Sequence, residues 1–336
     1  MLFFTARVTA AQNQITISEI EFFGTSGMAV EKIKAALPIH EGQVISDESL
    51  SSVSEQIRES IKSSTGRAAT DVAPVCCDEE GNWLIYIGLQ GKNFRASIYN
   101  PTPTGTIKLP TSVVNTYHEF LDLILESIHK QATEDNSRGY ALSSYPPLRA
   151  KQLAMHDYAV QHPELVREVL LNSSASEQRE VAAQLVGYQK YSQQQVAALV
   201  HASQDIDDGV RNNAVRALGV IAIARPGVVT TVPASNFVAM LNSGIWKDRN
   251  KALFLLGMLS ASRNPMLLRQ LRRDASNSIL EMAKWRSAGH ADTARTLLGR
   301  IAGIDEDQLQ RLIAAHDVQT ILSMFEKSNG RTTHEK

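Results

Sequence analysis

A five-position pattern that recurs along the second half of the chain restricts what it can fold into. Arg211, Ala214, Ala217, Leu218 and Gly219 have counterparts 32 residues earlier in Arg179, Ala182, Leu185, Val186 and Gly187. They recur 38 residues later as Arg249, Ala252, Leu255, Leu256 and Gly257. A degenerate fourth copy has Ala294, Leu297, Leu298 and Gly299, with Ala291 where the arginine would stand. Steps of three and four residues place each set on one helical face. Between the copies lie segments that read as second helices, around 196–201, 237–241, 267–284 and 309–315. Helix pairs at a period of roughly 30 to 45 residues are the signature of an α-solenoid, in which each pair buries its apolar face only against its neighbours.

The stretch "DIDDGVRNNAVRALGVIA", running from Asp205, resembles the first-helix pattern of HEAT repeats, and residues 176–326 read as HEAT-like. In such repeats Asp207 or Asp208 caps the helix by accepting hydrogen bonds from its free backbone amides, while Arg211 bridges to the preceding repeat. Ala214 and Ala217 keep neighbouring helices close. The resemblance implies an arginine–aspartate ladder through Arg179, Arg211 and Arg249 that ends before the fourth copy. These residues are stacking hardware on this reading, not a catalytic site.

The N-terminal part has a different period. Ile15, Ile17, Ile20 and Phe22 alternate with polar residues, as in a strand with one irregularity near Ser18. Val30, Ile33, Ala36 and Leu37 then share a helical face that Pro38 stops. "HEGQVISDESL" is expected to be a loop in which Ser46 caps a second helix carrying Leu50, Val53, Ile57 and Ile61, closed by Gly66. Two more strands follow around a turn at Asp78 to Asn82, so the expected order is β-α-α-β-β, an α+β domain over 15–92. With "ISEIEFFGTSGMAVEKIKAALPIHEGQVIS" at its head, this order resembles the polypeptide-transport-associated (POTRA) domain. The resemblance implies work with envelope or secreted polypeptides. No membrane β-barrel or transmembrane anchor follows, a departure that counts against insertion or translocation.

Residues 93–175 are expected to form a helical connector: the Pro-rich "NPTPTGTIKLP", an amphipathic helix over 113–129, and a helix entered at Pro146 and Pro147. Residues 327–336 are polar and read as a disordered tail.

With 34 basic and 35 acidic residues the net charge is −1, so no overall field calls for nucleic acid or a membrane surface. No apolar run approaches the roughly 20 residues that span a bilayer. The start "MLFFTARVTAAQNQ" (1–14) reads either as the tail of a secretory signal, with Ala10 and Ala11 ahead of Gln12, or as a frayed terminus. Export, to the periplasm or outside, is the reading joined to the POTRA resemblance, and a cytoplasmic protein is its alternative. The adjacent Cys76 and Cys77 fall in a predicted strand, where neighbouring side chains diverge, so two buried thiols are expected rather than a disulfide. No second Cys or His pair lies at ligand spacing, so neither a metal nor any other cofactor is called for.

No Gly-rich phosphate loop, nucleophile elbow or His-Glu-x-x-His motif is present. His156 and Asp157 are helical neighbours diverging by about 100° and cannot act together. Charge is more informative. Residues 15–92 carry 6 basic and 12 acidic residues, a net of −6, whereas 246–302 carry 11 basic and 4 acidic, a net of +7. In the latter segment Arg269, Arg272 and Arg273 flank the apolar stripe of Leu268, Leu271, Ala275, Ile279 and Met282 and are expected to face outward together. With Trp246 and Trp285, for which packing is the default, they form the candidate partner-binding set. The expected function is a non-enzymatic adaptor or scaffold for a protein or extended peptide, acidic in charge, with the solenoid groove and the sheet edge as contact surfaces. The alternative is a HEAT-like enzyme such as a DNA glycosylase or bilin lyase.

Overall fold

The computed structural model describes residues 14–78, 80–92 and 94–332, with the side chains at 229, 230 and 329–332 excepted. The candidate signal segment lies outside the described residues up to Gln14. The chain divides after Lys92 into two compact units.

In the first unit, β1 (Gln14–Phe23), α1 (Val30–Ala35), β2 (Val44–Ser46), α2 (Leu50–Thr65), β3 (Asp71–Cys76) and β4 (Trp83–Gly88) follow in order. The sheet runs β2-β1-β4-β3, with β1 and β4 parallel and the other neighbours antiparallel. The irregularity expected near Ser18 is a bulge: the β1–β4 register shifts between Ile17 and Glu19. Skipping one residue keeps Ile17 and Ile20 in one core with Ile57, Ile61, Ile85 and Ile87.

Two local expectations change. The "HEGQVIS" loop supplies an additional strand, because Gly42 donates to the Ile17 carbonyl and Ile17 to that of Gln43, drawing Val44–Ser46 onto β1. Ser46 makes no side-chain cap bond; its carbonyl instead accepts from the Ser49 hydroxyl at 2.6 Å. Cys76 and Cys77 are joined as a disulfide and are half-buried, contrary to the expectation of buried free thiols. Strand alternation does not hold them apart because β3 ends at Cys76, leaving Cys77 in the turn.

The second unit is helical: α3 (Thr111–His129), a small hairpin of β5 (Glu134–Asp135) and β6 (Leu142–Ser143), then α4 (Pro146–Gln161), α5 (Pro163–Asn172), α6 (Ser176–Gly187), α7 (Gln193–Ala202), α8 (Asp208–Ala224), α9 (Ala234–Met240), α10 (Trp246–Leu259), α11 (Pro265–Ala283), α12 (Ala288–Ala302), α13 (Glu306–Ala314) and α14 (Val318–Thr332). Helices α6, α8, α10 and α12, which carry the four copies of the pattern, pack consecutively on one another. The helices that follow each of them are α7, α9, α11 and α13, where second helices were expected. Pro146, Pro163 and Pro265 open α4, α5 and α11, at the position where a missing N–H costs nothing. No described helix is long and apolar enough to cross a membrane.

The segment read as a connector belongs to this unit. Its proline-rich part runs as an extended strap along the loops between helices. Asn100 donates through its backbone to the Gln204 carbonyl at 2.7 Å and through its side chain to that of His201 at 3.1 Å. Gly105 donates to the Asn172 carbonyl and accepts from the Ser174 amide, at 2.8 and 2.7 Å. Leu109 donates to the Gln178 side chain at 2.7 Å. A Cβ at Gly105 would lie 2.4 Å from the Asn172 oxygen, so only glycine permits this approach. At the other end, residues 327–332, read as disordered, continue α14, and the Ser328 hydroxyl and carbonyl accept hydrogen bonds from Arg272.

Candidate functional site

The repeated arginines form a buried ladder. Arg179 donates to both Asp205 carboxylate oxygens at 2.7 and 2.8 Å and to the carbonyls of Ser173 and Ser174 at 3.0 and 3.2 Å. Arg211 repeats this geometry on Asp248, at 2.7 and 3.1 Å, and on the carbonyls of Asp205 and Ile206. Arg249 donates to the Ser243 carbonyl at 2.6 Å and to Glu281 at 3.2 Å. Each arginine thus ties down the loop before its own helix; Arg179 and Arg211 reach a carboxylate of the following pair, where the sequence reading had the bridge running to the preceding one, and Arg249 reaches Glu281 on α11, the second helix of its own pair. The direction follows from geometry: the carboxylates that meet the guanidinium groups enter from the next loop or helix along the chain. Asp207 caps α8, accepting from the amides of Gly209 and Val210, and Asp208 pairs with Lys247 at 3.2 Å. In the fourth copy Arg295, one turn beyond Ala291, takes over the carbonyl bonding, to Ala283 and Trp285. The strap adds Tyr99, whose ring centroid lies 4.2 Å from the Arg211 guanidinium carbon.

The residues just after each ladder arginine share another face. Asn213 donates to the Tyr117 hydroxyl at 3.0 Å and to the Glu180 carbonyl at 3.2 Å, while Tyr117 donates to the Glu180 carboxylate at 2.9 Å. Of the two asparagines at the start of α8, Asn213 helps seat α3 on α6. Burial pushes the Glu180 carboxyl and the Tyr117 hydroxyl above their ordinary pKa values.

Further along this face opens a cleft of about 330 Å³, bounded by the hairpin and by α8, α10 and α12. Glu134 and Asn136 of the hairpin line it, with Arg216, Asn250, Lys251, His290 and Thr293 opposite. Arg216 is ion-paired with Glu134. Burial, then the nearby Arg216 charge, brings Lys251 down to about 8. Burial, then Lys251, brings His290 down to about 4. The edge of Trp246 meets the His290 ring at 5.6 Å between centroids. None of the residues lining this cleft was singled out as a site residue by the sequence reading; Trp246, which was, touches it only through His290. The available signal was positional: Asn250 and Lys251 follow Arg249 as Asn212 and Asn213 follow Arg211.

The larger groove, about 490 Å³, lies between α9 and α11 and is lined by Leu259, Met266, Leu267, Arg269, Gln270 and Arg273 among others. Two of the three expected outward arginines are on it. Arg269 is exposed with its guanidinium against the Met266 sulfur, and Arg273 is exposed but clamped on Asp274 at 2.7 Å. Arg272 turns away, donating to the Ile301 carbonyl and to Ser328, because it lies on the side of α11 that meets α12 and α14. Trp246 and Trp285, only 9% and 3% exposed, are packed within the helical body rather than beside these arginines.

The +7 segment is also far less free than its charge count suggests. Arg249, Arg263, Arg295 and Arg300 are bonded to Glu281, Glu306, Asp292 and again Glu306. Lys247 is paired with Asp208.

No family model matches the chain, and no curated protein matches it. Among solved structures, the crystal structure of an engineered protein is similar at 15% identity over 66% of this chain and 94% of its own, with a TM-score of 0.39. A likeness of that degree carries no functional argument.

Proposed function

We propose that the protein is a non-enzymatic adaptor or scaffold, in which a POTRA-like module precedes a HEAT-like solenoid that binds an extended, acidic segment of another protein. The observation that carries this reading is the groove between α9 and α11. There Met266, 68% exposed, stands beside Leu259 and Leu267, with Arg269 and Arg273 among the groove residues. Apolar surface with the exposed Arg269 guanidinium at its rim, and that of Arg273 beside it shared with Asp274, suits a chain that alternates apolar and acidic side chains, and opposite charge steers its approach.

The solenoid part of the reading is supported by the consecutive packing of α6, α8, α10 and α12 and by the ladder geometry shared by Arg179 and Arg211. The POTRA part is supported by the mixed sheet with two helices, in which β3 is an edge strand, the kind of element that strand addition uses. On the same resemblance the protein works with envelope or secreted polypeptides and is exported, its mature chain starting near Ala11 or Gln12. The internal bonding of the basic segment counts against the rival reading as a DNA glycosylase, which needs free cations on a concave surface.

The test is fluorescence anisotropy of a labelled peptide of alternating glutamate and leucine, beside labelled duplex DNA, at physiological salt. Saturable binding of the peptide with none of the duplex is expected. Tight binding of the duplex with indifference to the peptide would overturn the reading.

A further inference from the structure

We propose that the cleft bounded by the hairpin and by α8, α10 and α12 binds a small monocarboxylate that also carries a hydrogen-bond donor, as a hydroxy acid does. This site is separate from the groove of the second helices and stands without the adaptor reading.

Its size and lining come first. About 330 Å³ is at the lower end of small-molecule sites, and it combines an apolar part, Val220, Leu253 and Phe254, with convergent polar groups. The charge is then nearly balanced by the protein itself. Arg216 is neutralised by its pair with Glu134. His290, held at about 4, is uncharged near neutral pH. Lys251 is left as the one cation of the cleft for which the described residues supply no hydrogen bond or ion pair, and its half-buried ammonium is costly unless an anion meets it. One unmatched positive charge calls for one negative charge. A phosphate dianion would leave the half-buried cleft with an excess of negative charge, whereas a carboxylate balances it.

The second recognition group is Asn136. Its side-chain oxygen is buried and accepts no hydrogen bond. An orphaned acceptor of this kind is satisfied by a donor on the ligand, which distinguishes a hydroxy acid from a plain fatty acid. Asn250 and Thr293, from α10 and α12, add further polar contacts on the opposite side.

Lactate, propionate and inorganic phosphate serve as probes in calorimetric titration of the full chain. Lactate is expected to bind saturably, with propionate and phosphate each weaker. Lys251→Met, which keeps the length of the side chain and removes its charge, is expected to weaken lactate by at least about tenfold. Arg269→Gln, in the other groove, is expected to leave lactate affinity unchanged, which separates this site from the peptide groove. The titratable groups facing Lys251 are Arg216, Glu134 and the neutral His290, and only Lys251 changes charge near pH 8, so lactate affinity falls as the pH rises through 8. Should Lys251→Met fail to fold, the side-chain nitrogen resonance of Lys251 in the wild type decides: it shifts on adding lactate. No saturable lactate binding, an unshifted Lys251 signal, or equal binding by a folded Lys251→Met variant would overturn the proposal.

Discussion

Arg211 of α8 grips Asp248 of α10 through two charge-assisted hydrogen bonds, 2.7 and 3.1 Å long, with the side chains 2% and 1% exposed. The arginine also holds the carbonyls of Asp205 and Ile206, and the aspartate accepts from the Ser243 hydroxyl at 2.8 Å. The pair is therefore the joint between two successive helix pairs, and its loss leaves a buried charge without a partner.

Replacing Arg211 with alanine is expected to destabilise the second unit by about 3–5 kcal/mol, the cost of breaking a buried ion pair from one side. Replacing Arg211 with methionine and Asp248 with leucine together is expected to cost much less, because no charge is then stranded. Chemical denaturation of the single and double variants checks both. An Arg211→Ala protein that unfolds at the wild-type denaturant concentration would remove the ladder from the account of stability.

The recurring glycine is a second joint. A Cβ at Gly187 would come within 2.9 Å of the Ala217 Cβ, an atom fixed by its own backbone. Gly187→Ala is expected to lower stability by about 1–3 kcal/mol through overpacking, against a helix-propensity gain of at most about 1 kcal/mol. The same denaturation measurement reads it, and a stabilised variant would show that α6 and α8 can part at no cost.

Near the end of the chain, hydrogen bonds from Arg300, and then from Arg263, hold the Glu306 carboxyl down at about 2, against an ordinary value of 4.5. A carboxylate depressed by folding stabilises the native state above its unfolded pKa and stops doing so as the pH falls through the folded one. The melting temperatures of wild type and Glu306→Gln should therefore differ most above pH 4.5 and converge toward pH 2. A difference that does not change with pH would assign the effect to packing.

His290 behaves in the opposite chemical sense but with the same direction on the pH axis. Its folded pKa of about 4 lies below the ordinary imidazole value of 6.5, so the unfolded chain takes up the proton first. Stability is lost as the pH falls from 6.5 to 4 and the loss then levels off. Nuclear magnetic resonance titration of the imidazole is expected to give a midpoint near 4, and His290→Asn should shrink the loss within that window. A midpoint near 6.5 would mean that the ring is open to water.

How far the sequence could be read follows from how local each feature is. The helices of the second unit, the proline start of α4 and the bulge near Ser18 depend on periodicity and on single residues, and were legible. The strap was not. Its prolines suggest a linker, yet Asn100 and Gly105 find carbonyls that exist only once the helices have stacked. The same holds for the cleft. Glu134 and Arg216 are 82 positions apart and meet through tertiary packing, so neither carried a signal on its own. Arg272 shows the limit of helical-face arguments: it flanks the apolar stripe as expected, but the last part of α14, from residue 327 on and read as a disordered tail, provides its partner in Ser328.

The central claim, that the second-helix groove binds an extended acidic chain through its rim arginines, is tested most directly with Arg269→Gln/Arg273→Gln, leaving Arg272 in place. Anisotropy titrations of wild type and variant with the glutamate–leucine peptide are run at low and high salt. The account predicts that the variant keeps the wild-type melting temperature, binds the peptide about tenfold more weakly, and loses most of the salt dependence of binding. A variant that binds as tightly as the wild type, with the same salt dependence, would contradict it.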